Sequence, residues 1–434
     1  MNKNEVSPGT GRLLEAAALT VLVLGALILP LGQADRALPF VSAWDIAVGE
    51  SLAHGISAPD VNSATTSMPL STSWAAVQFG HLGWREARLG WLALCALLLL
   101  TAAALACELG PWPAGPLAVL MLACVSDGWL SLTNMLHASY ALLVLHAAWA
   151  LARFAREPSA ASGAWAGLAL GTSLLYRSPL LFVPPLLALG FVFRKVRGGG
   201  GGARGLALAA VLPVLMLLPW MKLNYGLHGR PNPAEHMRSD TNIVSGALGL
   251  VANIEGDIRA LAPEAEFEPG RVLGWAVRRV LSSPAAYARA VAARVVYAAS
   301  FAPWLCLAAL VAFWLGRREP ALRAVSGLAA YFLGVHALMP IAPHYLMPLW
   351  MLLTVIVAVA AANLLTPKLT EDGVCRRFSR GLLYAGCAGA GALALAVLPR
   401  VARYGALGAR AASPERLNEA LSAAPADAWL LGRR

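Results

Sequence analysis

The stretch 324–367, AVSGLAAYFLGVHALMPIAPHYLMPLWMLLTVIVAVAAANLLTP, contains no Asp, Glu, Lys or Arg. A helix needs about 20 mostly apolar residues to cross the hydrocarbon layer of a bilayer, so this segment is long enough for two spans. Pro340 and Pro343 stand near its middle. Proline removes a backbone donor and disfavours helical geometry in the residue before it, which predicts a break around residues 340–343.

Charge-free runs of similar size recur on either side, at 16–34, 89–107, 109–126, 128–152, 158–176, 179–193, 205–221, 295–316 and 381–399. The segment 109–126 is interrupted by Pro111, Pro113 and Pro116, and 179–193 is short. Together the runs predict an all-α polytopic membrane protein with about eleven transmembrane helices. Composition agrees: 58% of the 434 residues are hydrophobic and 13% are charged, against roughly 25% charged in soluble domains. A soluble enzyme and a disordered chain are excluded. The first run is longer than the apolar core of about 7–15 residues in a signal peptide, and reads as an uncleaved span.

The net charge of +11 is accounted for by position. With the N-terminus inside, the short inner loops hold Arg153 and Arg156, then Arg194, Lys195, Arg197 and Arg204, then Arg317, Arg318 and Arg323, then Lys368, Arg376, Arg377 and Arg380. This is the positive-inside pattern, so the basic residues are topological anchors and a nucleic-acid partner is not expected. A membrane domain over 1–400 follows, with outer loops at 35–88 and 223–294 and a short extracytoplasmic tail at 401–434. Only Lys3, Lys195, Lys222 and Lys368 are lysines; with abundant Ala, Gly and Leu this points to a GC-rich bacterium, and hence to its inner membrane. The six cysteines show no CxxC or Cys/His metal spacing.

The first outer loop has a helical pattern over 43–53, with Trp44, Val48 and Leu52 on one face, ended by His54-Gly55 and followed by Met68-Pro69-Leu70. Such a segment is expected to lie along the interface. The second has a polar loop over 224–268, then amphipathic stretches at 271–281 and after Ser282-Ser283-Pro284. Charged groups at the membrane boundary are functional candidates. Asp45 opens the interfacial helix, and also fits a helix cap. Arg177 and Lys222 end spans on the outer side, against the positive-inside bias, although cations at span ends also snorkel. His344 lies between the two late spans. His137 and His146 share one span on opposite faces and read as packed polar residues.

These strings resemble the GT-C superfamily of polytopic glycosyltransferases, in particular its family-39-like branch of protein mannosyltransferases and aminoarabinose transferases. Asp45, Leu52, Gly55 and Pro69-Leu70 match that branch's acidic first-loop helix and Pro-Pro-Leu-like turn. Gly167-Leu168-Ala169-Leu170-Gly171 with Tyr176-Arg177-Ser178-Pro179 is similar to its glycine-rich span ending in Arg-x-Pro. Leu218-Pro219-Trp220-Met221-Lys222-Leu223-Asn224-Tyr225 resembles its Pro-Trp-x-x-Arg-Asn-Tyr motif, and Pro343-His344-Tyr345-Leu346-Met347-Pro348 its late Arg-Tyr-x-x-Pro motif. There are departures: the acidic doublet is Asp45 followed by Ile46, the usual tyrosine is Val48, the late arginine is His344, and the second motif carries Lys222.

The resemblance implies transfer of a sugar from a polyprenyl-phosphate-linked donor to a glycan, lipid or protein acceptor on the extracytoplasmic side. Asp45 would be the catalytic base. Arg177, Lys222, His344, Arg85 and Arg88 would bind the donor phosphate. Glu50 and His54 would serve the acceptor or a metal, and Asn224, Tyr225 and Tyr345 would line the pocket. A divalent cation is optional, since no cluster of acidic ligands appears. Two alternatives stay open: a transporter or flippase of lipid-linked material, which calls for charged pairs near the midplane, and an inactive scaffold of the same fold.

Overall fold

The computed structural model describes residues 19–20, 22–23, 67–76, 83–124, 135–196, 202–235, 238–252, 258–265 and 271–365. These residues form helices α1 (Pro69–Ala76), α2 (Gly83–Leu109), α3 (Ala114–Cys124), α4 (Met135–Arg156), α5 (Ala160–Tyr176), α6 (Val183–Val196) and α7 (Ala203–His228). After them come α8 (Arg238–Ala247), α9 (Ile258–Leu261), α10 (Arg271–Ser282), α11 (Pro284–Ser300), α12 (Pro303–Gly316), α13 (Pro320–Ala337) and α14 (Met347–Leu365). Among the described residues the only β pairing is one isolated parallel bridge, Ala252 with Ile341. The chain is a polytopic helical membrane protein.

Among the described residues four helical segments are long and apolar enough to cross a bilayer: His137–Arg156, Ser178–Val196, Ala203–His228 and Pro343–Leu365. The count of about eleven is not reached among the described residues; 381–399 and most of 16–34 lie outside them. The stretch 324–367 divides as its prolines require. Helix α13 ends at Ala337, and a 3-10 turn over Pro343–Leu346 leads into α14. The run 295–316 is not one straight span, because α11 and α12 meet at a bend of 101°. Ala302, which precedes Pro303, has φ −147° and ψ 64°, and the proline disfavours helical backbone there.

Helices α4 and α14 form the buried centre of the bundle, with Trp149, Tyr140 and Met351 almost fully enclosed. Helices α6 and α12 turn Leu189, Phe193, Trp304, Leu310 and Trp314 outward, an apolar exposure suited to lipid tails. Helix α5 packs closely along α7 through Gly163, Gly167 and Gly171. A Cβ on Gly163 would strike the Gly205 backbone, and one on Gly167 would sit 2.7 Å from the Leu208 carbonyl oxygen. Small residues at this spacing let two membrane helices approach to backbone contact.

The two ends of the bundle carry different chemistry. At one end Arg156, in the last turn of α4, donates to Glu319 from Nε (3.2 Å) and Nη2 (2.8 Å). Its Nη1 donates to the Glu108 backbone carbonyl and stands 3.5 Å from that residue's Oε1. Three elements are tied there: the end of α2, the end of α4 and the start of α13. The opposite end of α4 lies roughly 28 Å away at 1.5 Å per residue, and there the candidate site forms.

The segment 223–294, expected as an outer loop, is not simply polar. Helices α8, α9 and α10 enclose a small core of Val244, Ile258, Ala262, Ala265 and Val272, apolar residues dispersed among polar ones in the sequence. Helix α1 also differs from a surface-lying segment: Met68 and Leu70 are buried, and Trp74 Nε1 donates to Ser139 Oγ of α4 at 2.9 Å.

Candidate functional site

Arg177 follows α5 directly. Its backbone is extended (φ −156°, ψ 148°) and its N–H closes the helix on the Ser173 carbonyl, before a 3-10 turn over Ser178–Leu180 that contains Pro179. This sharp exit directs the guanidinium across the bundle mouth to α4 and the α13–α14 connection. Its Nη1 lies 3.0 Å from His137 Nδ1. Arginine has no acceptor and keeps its charge, so in this contact His137 Nδ1 is the unprotonated nitrogen. The guanidinium carbon is 5.6 Å from the Tyr345 ring centre and 6.0 Å from that of Tyr140. His344 completes the group, its ring 4.5 Å from His137 and 4.4 Å from Tyr345.

Beneath this layer Tyr140 stacks with Tyr176 at 6.3 Å and meets Phe332 at 6.2 Å; Phe332 in turn stacks on His336 at 4.3 Å. The cation thus has an aromatic floor, a low-dielectric surrounding that strengthens any electrostatic contact made above it.

The loop after α7 supplies a carboxylate. Gly229 caps α7 in a left-handed conformation, φ +69°, which glycine adopts without Cβ strain. The returning loop is held by buried Asn224, whose Nδ2 donates to the Asn232 carbonyl at 2.8 Å, and by Trp220 Nε1 donating to the Ala234 carbonyl at 3.3 Å. Glu235 then reaches the turn beside Arg177: Ser178 donates to it through its hydroxyl and through its N–H at 3.4 Å.

Of the residues singled out in the sequence, Arg177, His344 and Tyr345 come together here. Asn224 ties down the loop that carries Glu235. Lys222 is exposed on α7 and Tyr225 is 60% exposed; neither joins the group around Arg177. Arg85 and Arg88 belong to the first turns of α2, with side chains outside the described residues, and Asp45, Glu50 and His54 lie outside them altogether. Among the described residues no three His, Cys, Asp or Glu side chains stand close enough to share a metal ion.

Three participants were not legible beforehand. His137 read as packing, yet its Nδ1 meets the guanidinium; its place at the start of an apolar run was the available signal. Tyr140, one turn on, looked like any aromatic in a span. Glu235 lay in a loop with mixed charges and no motif. His146 does stay apart from His137, with Nδ1 3.1 Å from the Leu142 carbonyl and its ring 6.2 Å from Trp149.

No family model and no curated protein matches the sequence. Among solved structures the chain is similar to ArnT from Cupriavidus metallidurans in the apo state, with a TM-score of 0.46, 18% identity, and coverage of 92% of this chain and 77% of that one.

Proposed function

We propose that this protein is a membrane glycosyltransferase that moves a sugar from a polyprenyl-phosphate-linked donor to an acceptor at the Arg177 end of the bundle. The observation that carries the reading is the seat of Arg177: a cation beside His137 and flanked by Tyr140, Tyr345 and His344, at the ends of the apolar segments His137–Arg156 and Pro343–Leu365, the level at which a bilayer boundary is expected. A polyprenyl tail stays in the hydrocarbon layer, so its phosphate can be met only at such a boundary. The guanidinium presents its N–H donors in a planar fork matched to phosphate oxygens.

In the proposed reaction the bond from the sugar's anomeric carbon to the phosphate oxygen breaks while a bond to the acceptor oxygen forms. Arg177 stabilises the negative charge that gathers on the departing phosphate. The acceptor's proton passes to Asp45, the acid that opens the first-loop motif. The step asks for one base and one anion seat, and needs no charged pair at the membrane midplane.

The test uses membranes carrying the protein, supplied with a radiolabelled polyprenyl-phosphate sugar. Label is expected to move to an acceptor, and Asp45→Asn to slow transfer by the roughly 10²–10⁴-fold that general-base catalysis contributes. Transfer by Asp45→Asn at the wild-type rate rejects the base role. Movement of the intact lipid across the membrane without transfer rejects the enzyme.

A further inference from the structure

Arg294, in α11, is fully buried at 0% exposure, and no ion pair to it occurs among the described residues. Its guanidinium donates instead to four backbone carbonyls. Nε reaches Leu250 at 2.8 Å and Nη2 reaches Gly246 at 2.8 Å, while Nη1 is shared between Ala337 and Leu338 at 3.2 Å each. Gly246 and Leu250 lie at the end of α8 and just beyond it; Ala337 and Leu338 do the same for α13. The last carbonyls of a helix lack partners within it and carry partial negative charge. One buried cation therefore ties two helix ends together.

The surrounding contacts reinforce the tie. The Tyr287 ring lies 5.7 Å from the guanidinium carbon, and its hydroxyl donates to the Leu338 carbonyl at 3.0 Å. Gly246 is pressed against that same carbonyl, where a Cβ would stand only 2.7 Å from the oxygen. Ile341 N–H donates to the Val251 carbonyl at 3.0 Å, next to the Ala252–Ile341 bridge. His344 follows Ile341 by three positions.

We infer that Arg294 is a positioning residue: it clamps the outer helical layer α8–α10 onto the α13–α14 connection, and the seating of that layer sets where His344 and Tyr345 stand beside Arg177. What the positioned groups then do rests on the proposed donor site; the clamp itself can be tested without substrate.

The measurement is the rate at which diethyl pyrocarbonate modifies His344 in the purified full-length protein, read by mass spectrometry with His228 as internal reference. Arg294→Ala is expected to raise the His344 rate several-fold with His228 unchanged, and Arg294→Lys to recover part of the protection. In the Arg294→Ala background, a disulfide between Ala252→Cys and Ile341→Cys is expected to restore protection when oxidised and to lose it when reduced. Gly246→Ala opens the same contact with Arg294 intact and is expected to give the same selective rise, so the clamp is testable even if Arg294→Ala does not fold. A His344 rate equal to wild type in these variants, or one that stays high once the disulfide has closed, overturns the inference. A wild type that binds no decaprenyl phosphate while Arg294→Ala still unmasks His344 removes the donor reading and supports the clamp.

Discussion

Arg177 is the residue around which the site is organised. Its charge does not titrate, and its partner His137 must present a bare nitrogen to it, so the pair is a fixed cation with a neutral anchor. Losing a hydrogen bond to a charged group costs about 1.5–3 kcal/mol. Arg177→Gln should therefore weaken decaprenyl phosphate binding by roughly 10- to 100-fold, measured by displacement of a fluorescent polyprenyl phosphate. Arg177→Lys keeps the charge but loses the planar fork, and should recover only part of the affinity. His137→Ala removes one contact that orients the guanidinium, and is expected to weaken binding less than Arg177→Gln does. Equal losses in both would mean that orientation, and not charge, dominates.

At the scale of elements, the approach of α5 to α7 determines where Arg177 emerges. Gly167→Leu would force side-chain atoms into the Leu208 carbonyl and the Leu212 side chain. Overpacking of this kind costs about 1–3 kcal/mol, and should appear as a lower unfolding midpoint in detergent with parallel loss of polyprenyl phosphate binding. An unchanged midpoint would show that the helices can separate at no cost. This is also where sequence and structure can be compared in physical terms. The break in 324–367 was legible because proline acts locally on its own backbone. The glycines of α5 were visible, but the helix they face was not, since nothing local says which span packs against which. The 101° bend between α11 and α12 was missed although Pro303 gives the same local signal, because 295–316 was read by its apolar length alone. Position 294 entered the sequence reading only as the end of a loop; the partners of Arg294 are backbone carbonyls 43 to 48 residues away in the chain, and backbone carbonyls leave no trace in composition.

On the scale of the whole molecule, the chain separates two kinds of charge. The Arg156–Glu108–Glu319 network joins three helices at one end, and the Arg177 group forms at the other. Glu108 is buried, at 4% exposure, so Arg156→Gln would leave a carboxylate without its cation. Breaking a buried pair from one side costs about 3–5 kcal/mol, and the expected result is a marked loss of thermal stability, with Glu108→Gln in the same chain recovering part of it. The separation also sets the topology: cysteines placed at Arg153 and at Arg177 should react with a membrane-impermeant maleimide from opposite faces of intact cells and inverted vesicles. Labelling of both from one face would break the arrangement on which the site depends.

The central claim is that a lipid phosphate is held at the Arg177 end. A photoactivatable decaprenyl phosphate, cross-linked to the protein in nanodiscs and mapped by mass spectrometry, addresses it directly. The predicted result is attachment to the segments bearing His137, Tyr140 and Tyr345, strongly reduced in Arg177→Gln. Attachment concentrated near Arg156 and Arg194, or a pattern indifferent to Arg177→Gln, would contradict it.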